Sequence, residues 1–282
     1  MWNNLIEELI DLALKEDIGD GDHSSLACIP GTAKGSAQLL AKEEGIIAGI
    51  AIAKIIILKL DSSAMFEPQM IDGSKIIPGD IVFRVKANIR ALLQAERLLL
   101  NIMQHMSGIA TQTSHYVKAL EGLKTKVLDT RKTTPGMRLL DKEAVRIGGG
   151  INHRTGLYDM ILLKDNHIDF AGGIEKAIER TKKYLAEKNK MLKIEVEARS
   201  IEDIKKILSN GGVHRILLDN FSVAETRAAV ALINGKCETE SSGNITLKNI
   251  KHYALCGVDY ISVGALTHQI KSIDLSLKAI DF

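Results

Sequence analysis

Residues 193–220 read KIEVEARSIEDIKKILSNGGVHRILLDN. Lys193 to Glu197 is a short run of strand length, and Arg215 to Asn220 is another. Between them, Ile201 to Leu208 has helical spacing of its apolar residues. A strand, a helix and a second strand in so little chain form the unit of a parallel sheet, because parallel neighbours need a crossover and a helix is the usual one.

The same rhythm extends in both directions. Further strands are expected at Lys126–Thr130, Met160–Lys164, Lys236–Glu240 and Tyr260–Gly264, with helices at Gly173–Leu185, Ser222–Ile233 and Leu247–Cys256. Six strands of this kind close, or nearly close, into a barrel, or lie in an open doubly wound sheet. Spacing alone allows both. The strand ends favour the barrel: Asp129-Thr130-Arg131-Lys132, Lys164-Asp165-Asn166-His167, Glu195 and Glu197, Asp219-Asn220, Glu240-Ser241-Ser242, and Ser262 with Gly264 are all polar, charged or small. In barrels the site is built from several strand ends at one mouth.

Before residue 123 the pattern differs. Residues 3 to 16 repeat with helical period and stop at a Gly- and Asp-rich turn, Glu16 to Asp22. Residues 33–43 and 79–86 read as strands, with an apolar helix from Gly45 to Leu60 between them. Ile89 to Met106 forms a strong helix with Leu92, Ala95, Leu99, Ile102 and Met106 on one stripe. Ser107-Gly108-Ile109 marks an end or break, and a second helix runs from Ala110 to Leu123.

Composition bounds the partners. The formal net charge is +2, with 45% apolar and 26% charged residues, so nothing global selects nucleic acid or an acidic membrane, and an anion site must be built locally. Cys28, Cys237 and Cys256 are odd in number and not spaced as metal ligands, which fits reduced thiols in a cytosolic protein. The N-terminus does not read as a signal peptide. The stretch from Gly45 to Leu60 is short for a membrane span and carries Lys54 and Lys59.

Four constellations carry the chemistry. In Asp129-Thr-Arg-Lys-Thr-Thr-Pro-Gly-Met-Arg138, Arg131 and Lys132 follow a strand directly. A guanidinium grips a carboxylate or phosphate by a planar fork, and an ammonium acts as a compact charge. A solvated basic loop is the plain alternative. In Gly148-Gly-Gly-Ile-Asn-His-Arg154, the glycines allow close backbone approach, and His153 and Arg154 stand before the strand that ends in Lys164. Glu197 and Asp219 end their strands and suit Mg2+, ribose hydroxyls, or pairing with the cations opposite. Glu240-Ser-Ser-Gly-Asn-Ile245 and Ser262-Val-Gly264 suit a phosphate cradle of backbone N–H groups and a helix N-terminus. No Ser-His-Asp or Cys-His nucleophile pattern and no zinc spacing stands out.

With these residues in view, Glu16-Asp-Ile-Gly-x-Gly-Asp22, Glu96-Arg97 with Asn101 and Ser107-Gly-Ile-Ala-Thr111, Asp129 to Gly136, Gly148 to Arg154, Gly156-Leu-Tyr-Asp159, Lys164-Asp-Asn-His167, Leu218-Asp-Asn220, Ser242-Gly243, Gly257-Val-Asp259 and Gly264-Ala-Leu-Thr-His268 resemble the quinolinate phosphoribosyltransferase family in order and over nearly the whole chain. The resemblance implies an α/β protein: an N-terminal α/β sandwich, residues 1–110, then an open, TIM-like α/β barrel, residues 111–268, with residues 269–282 packing back on the first domain. It implies transfer of phosphoribosyl from phosphoribosyl pyrophosphate to quinolinate with loss of CO2, with Mg2+, in a cytoplasmic homodimer or higher assembly in which Arg97 crosses to the partner's site.

By the same resemblance, Arg131, His153, Arg154 and Lys164 with the borrowed Arg97 hold the two carboxylates. Lys132 reaches phosphoribosyl pyrophosphate, with Thr130 beside it. Glu197 and Asp219 hold ribose or Mg2+. Ser242, Gly243, Asn244, Ser262 and Gly264 cradle the 5-phosphate, with His268 nearby. Asn244 departs from the second Gly usual in the family, and Glu143 from an aromatic; Asn tolerates left-handed backbone, so the cradle survives. A nicotinate transferase, with one carboxylate to grip, and an aldolase-like barrel using Lys164 as a Schiff base are the rival enzymes. A non-catalytic relative would lack some of the charged mouth residues.

Overall fold

The computed structural model describes residues 2–280; Met1, Asp281 and Phe282 lie outside the described residues. The chain divides into two compact units. One comprises Met1–Ser114, Thr133–Gly149 and Leu266–Phe282, the other His115–Lys132 and Gly150–Ala265. In chain order the elements are α1 (Trp2–Ile18), α2 (His23–Cys28), β1 (Lys34–Ala41), β2 (Gly45–Ile46), α3 (Ile50–Leu60), β3 (Met65–Pro68), β4 (Lys75–Ile76), β5 (Ile81–Asn88) and α4 (Ile89–Ala119). There follow β6 (Lys126–Leu128), α5 (Arg138–Ile147), β7 (Ile161–Leu163), α6 (Asp165–Ala171), α7 (Ile174–Glu187), β8 (Ile194–Ala198), α8 (Ile201–Asn210), β9 (Arg215–Asp219), α9 (Val223–Ile233), β10 (Glu238–Ser242), α10 (Ile250–Ala254), β11 (Tyr260–Ser262), α11 (Ala265–His268) and β12 (Leu275–Ile280).

The first unit is built on an antiparallel sheet of order β12-β1-β5-β3. Leu39, Val82, Phe83, Ile56, Leu99 and Met103 are fully buried in this unit. Phe66 and Phe83 stack at 4.6 Å between ring centroids. Each such aliphatic or aromatic side chain contributes roughly 1.5–3 kcal/mol when removed from water. Helix α3 starts later than the expected Gly45, for two reasons. Gly45 and Ile46 pair with β4, and Gly49 precedes the first helical turn with a left-handed φ of 98°. The C-terminal segment returns as β12, in register with β1 from Ser36↔Ile280 to Ala41↔Leu275. The last two residues of the segment expected to pack back, Asp281 and Phe282, lie outside the described residues.

Two expectations are corrected in this unit. Ser107-Gly108-Ile109 neither ends nor breaks a helix, since α4 runs unbroken through it. Ser107 Oγ is satisfied by the Ala48 N–H at 3.0 Å, and a Cβ at Gly108 would collide with the Lys271 carbonyl. The small residues therefore serve close packing of the C-terminal segment on a continuous helix. Second, Thr133–Gly149, read from sequence as part of the barrel, belongs to the first unit. Buried Asp141 explains this: one oxygen lies 2.7 Å from His105 Nε2 on α4, and the other accepts the Thr134 N–H at 2.9 Å. Leu266 to His268 are likewise in the first unit.

The second unit is the barrel. Its sheet has six strands in the order β6-β11-β10-β9-β8-β7, all parallel. The edge strands β6 and β7 are not neighbours in the ladder, so the barrel is open, and Ile151 bridges to Leu128 beside β6. Val127, Val196, Ile216, Leu218 and Ile261 are buried with Ile178, Ile204, Ile207 and Ile233 of the helices. The helix starts are capped: Ser200 accepts the Asp203 N–H at 3.1 Å, and Ser222 with Glu225 forms a reciprocal capping box.

Candidate active site

Parallel strands bring their C-terminal ends to one side, and the residues singled out at those ends follow from this order. Asp129, just past β6, is fully buried, and its carboxylate accepts the His153 N–H at 2.8 Å. Thr130 Oγ1 accepts the Lys132 N–H at 3.0 Å, which fixes the turn carrying Arg131 and Lys132, both exposed. Arg154 is half-buried, and its guanidinium donates to the Met160 carbonyl at 3.2 Å. Lys164 is exposed at the end of β7.

Among the described residues, no carboxylate forms an ion pair with Arg131, Arg154 or Lys164. Burial lowers the proton affinity of Arg154, and the positive charge of Arg131 lowers it further. Two guanidiniums that press on each other are stabilised by an anion between them.

The imidazole of His153 turns inward, with only 7% of its side chain exposed. Its Nδ1 lies 2.7 Å from the Arg154 backbone N and accepts that N–H when the ring is neutral, with the ring proton then on Nε2. Nε2 lies 3.0 Å from Glu195 and 3.4 Å from Glu240, both fully buried. Arg215 reaches Glu240 at 2.9 Å and Glu238 at 3.1 Å, and its guanidinium lies 4.0 Å from the Tyr260 ring. Burial lowers the affinity of His153 for a proton, but the hydrogen bonds to Glu195 and Glu240 outweigh it and push the ring up to about 9. Burial and then the charge of Glu240 push Glu195 up to about 7. Glu240 is held below the usual carboxylate range: burial raises it, and His153, Ser262 and Arg215 more than offset that.

His153, expected at the carboxylate grip, is held on its inner side by Glu195 and Glu240, and Arg215 joins them, a grouping that the separate strand ends do not announce. The signal for Glu195 was the period-two run Glu195-Val196-Glu197, in which both carboxylates fall on the face turned away from the helices. Ligand atoms of His153, Glu195 and Glu240 lie within 4.8 Å of one another. With Arg215 paired to Glu240, His153, Glu195 and Glu240 form a buried ionic cluster.

Glu197, buried at the end of β8, and Asp219, at the end of β9, form a different pair. Burial and then the negative charge of Asp219 raise Glu197, while Lys164 opposes the shift. Asp219 accepts from Asn220 Nδ2 at 2.8 Å. Two neighbouring carboxylates destabilised by each other are hard oxygen donors, and the donor set fits Mg2+.

At the ends of β10 and β11 the backbone matches a close-approach cradle. Gly243 has φ 97°, and a Cβ there would collide with Asn220. Asn244 has φ 52°, as its tolerance of left-handed backbone allows, and donates from Nδ2 to Asn220 Oδ1 at 3.3 Å. Ser262 and Gly264 stand at the end of the neighbouring strand. The helices that follow these strands, α10 and α11, are short, with 5 and 4 residues. Individual N–H groups, not an extended helix dipole, are what this end offers an anion. Gly148 and Gly149 belong to the first unit, and Gly148 serves packing there, since a Cβ on it would collide with the Ala110 carbonyl of α4. Arg97, exposed on α4, and His268, exposed, also belong to the first unit.

Comparison with known proteins agrees with this arrangement. Residues 109–278 match the model of the quinolinate phosphoribosyl transferase C-terminal domain, and residues 22–107 that of its N-terminal domain. The chain belongs to the quinolinate phosphoribosyltransferase family. Among relatives in this family, the chloroplastic nicotinate-nucleotide pyrophosphorylase [carboxylating] of Oryza sativa is 45% identical over 97% of this chain and 77% of its own. The probable nicotinate-nucleotide pyrophosphorylase [carboxylating] of Bacillus subtilis is 40% identical over 96% of this chain and 92% of its own. The solved structure of the nicotinate-nucleotide pyrophosphorylase from Francisella tularensis superposes with a TM-score of 0.91 at 41% identity, covering 99% of this chain and 97% of that one. The quinolinate phosphoribosyltransferase fold, with its sheet-based first unit and open barrel, is thus shared along the length of the molecule. No described helix is long and apolar enough to cross a membrane.

Proposed function

We propose that this chain transfers the phosphoribosyl group of phosphoribosyl pyrophosphate to the ring nitrogen of quinolinate and releases one carboxylate as CO2, giving nicotinate mononucleotide and pyrophosphate for NAD synthesis. The observation that carries this reading is the guanidinium pair Arg131–Arg154, without carboxylate partners among the described residues, on the strand ends that also present Lys164. A dicarboxylate needs more than one planar grip, and a monocarboxylate does not.

Arg131, Arg154 and Lys164 hold the two carboxylates, with Arg97 of a second copy completing the grip in a homodimer or larger assembly. Lys132 and Thr130 face the phosphoribosyl substrate. The loops at Ser242–Asn244 and Ser262–Gly264 receive its 5-phosphate, with His268 nearby. Glu197 and Asp219 hold the ribose hydroxyls or Mg2+. When bound, Mg2+ supplies charge neutralisation for pyrophosphate.

The quinolinate nitrogen attacks C1 of the ribose, the C1–O bond to pyrophosphate breaks, and positive charge on the sugar peaks between the two events. The ring nitrogen, now cationic, stabilises the electron pair left at the adjacent carbon when its carboxylate departs as CO2, and that carbon then takes a proton. The chain's own part is orientation and fixed charge, not a covalent intermediate. We place this enzyme in the cytoplasm, on the reduced state implied for its scattered cysteines.

The test supplies purified protein with Mg2+ and phosphoribosyl pyrophosphate, and either quinolinate or nicotinate, and follows mononucleotide and CO2. Equal amounts of both from quinolinate alone are expected. Mononucleotide from nicotinate without CO2 would assign a monocarboxylate transferase instead.

A further inference from the structure

The interior of the barrel poses a question that the reaction does not answer. Barrel interiors are normally filled by branched apolar side chains. Leu217 does this here, and it is paired in register with both Glu197 and Glu240 on the neighbouring strands. Yet Glu195 and Glu240 are ionisable and fully buried. A buried ionic group is commonly no more stabilising than apolar residues of the same volume, so stability alone does not account for these two.

What they touch is specific. Both carboxylates converge on one atom, Nε2 of His153, at 3.0 Å and 3.4 Å. Glu240 is braced from the other side by Arg215 at 2.9 Å. Glu195 Oε1, Glu195 Oε2 and Glu240 Oε1 have no hydrogen-bond partner among the described residues, and His153, at ion-pair distance, is the group that Glu195 Oε2 faces. His153 in turn is fixed at two further points: its N–H donates to buried Asp129 at 2.8 Å, and its Nδ1 lies 2.7 Å from the Arg154 backbone N. The imidazole is thus a strut between the barrel interior and the backbone of the residue whose guanidinium faces the mouth.

We propose that Glu195 and Glu240 are positioning residues of the transfer site: from inside the barrel they fix the ring and tautomer of His153, and through its Nδ1 they set the backbone of Arg154. The inference rests on the assignment of Arg154 to quinolinate made above. A carboxylate that holds an imidazole in one tautomer is a known means of orienting a neighbouring group without touching substrate. Glutamine at either position keeps the shape and removes the charge, and its amide can donate as well as accept, so Nε2–H is no longer the one tautomer favoured.

The experiment uses the full chain with Mg2+ and compares wild type, Glu195→Gln, Glu240→Gln and Arg154→Ala. Quinolinate and phosphoribosyl pyrophosphate are varied separately, melting is followed in each variant, and the 15N resonances of the His153 ring are assigned against His153→Gln. Folded Glu→Gln variants are expected to lose about tenfold or more in kcat/KM for quinolinate, while KM for phosphoribosyl pyrophosphate stays within about twofold. Recorded above about pH 9, where the ring is neutral, its nitrogens are expected to move from a fixed Nε2–H form toward a mixture. If Glu240→Gln fails to fold because Arg215 loses its partner, Glu195→Gln carries the test. Folded variants with unchanged quinolinate kinetics and unchanged ring resonances, while Arg154→Ala is impaired, overturn the positioning role alone. An Arg154→Ala enzyme with normal quinolinate kinetics overturns the assignment of the mouth, and the positioning role with it.

Discussion

Replacing Arg154 by Lys keeps a positive charge but removes the planar fork that donates to the Met160 carbonyl and faces Arg131. Charge-assisted hydrogen bonds contribute about 1.5–3 kcal/mol, so Arg154→Lys is expected to lower kcat/KM for quinolinate by roughly tenfold to a hundredfold. Steady-state kinetics check this, and an unchanged value would remove Arg154 from the carboxylate grip. The buried cluster also makes stability depend on pH. His153 is raised from 6.5 to about 9 and Glu195 from 4.5 to about 7, so the folded chain binds protons more tightly than the unfolded one. The stability gained from a raised group is complete below its unfolded value and is lost as pH rises through its folded value. The His153 contribution is therefore present at pH 6.5 and lost through pH 9. Melting temperature is expected to fall over this interval in wild type and to fall less in His153→Gln; equal slopes would contradict the raised proton affinity of the ring.

Local rules account for the helices of the barrel. Ser222 and Glu225 satisfy each other's backbone N–H groups at the start of α9, where the sequence places a Ser three residues before a Glu. Ser222→Ala is expected to destabilise the protein by about 1 kcal/mol without changing kcat, as read by thermal or denaturant unfolding, since the cap faces solvent and no substrate. Helix α4 shows the opposite case. A Ser-Gly pair reads as a terminator by propensity, yet the helix passes through it because the C-terminal segment packs where a larger side chain would stand. Strand boundaries at β6, β7 and β11 fall one or two residues short of the expected ends, and Asp129, Lys164 and Gly264 stand just beyond them.

At the scale of the molecule, the proposed assembly makes a prediction of its own. If Arg97 serves the site of a second copy, Arg97→Ala and Arg154→Ala are each inactive alone, and mixed assemblies recover activity because some sites draw both residues from intact copies. Refolding the two variants together and assaying CO2 release checks this. No recovery, with mixed assemblies present, would place Arg97 outside the partner's site.

The sequence by itself determined the parallel strand–helix succession, the polar strand ends and the family, because alternation, caps and motif order are local and survive without knowledge of neighbours. It also singled out Arg131, Lys132, Arg154 and Lys164 as candidates for an anion site, because they stand next to short apolar strands in a chain of little net charge. Only the tertiary structure decided three other matters. It assigned Thr133–Gly149 to the first unit, through the contact of Asp141 with His105 far away in the chain. It turned Gly108 and Gly148 into packing positions. It aimed Glu195, Glu240 and Arg215 into one barrel interior around His153. In each of these the deciding partner is distant in sequence, and which side chains meet is set by how the sheet closes, a property no local pattern encodes.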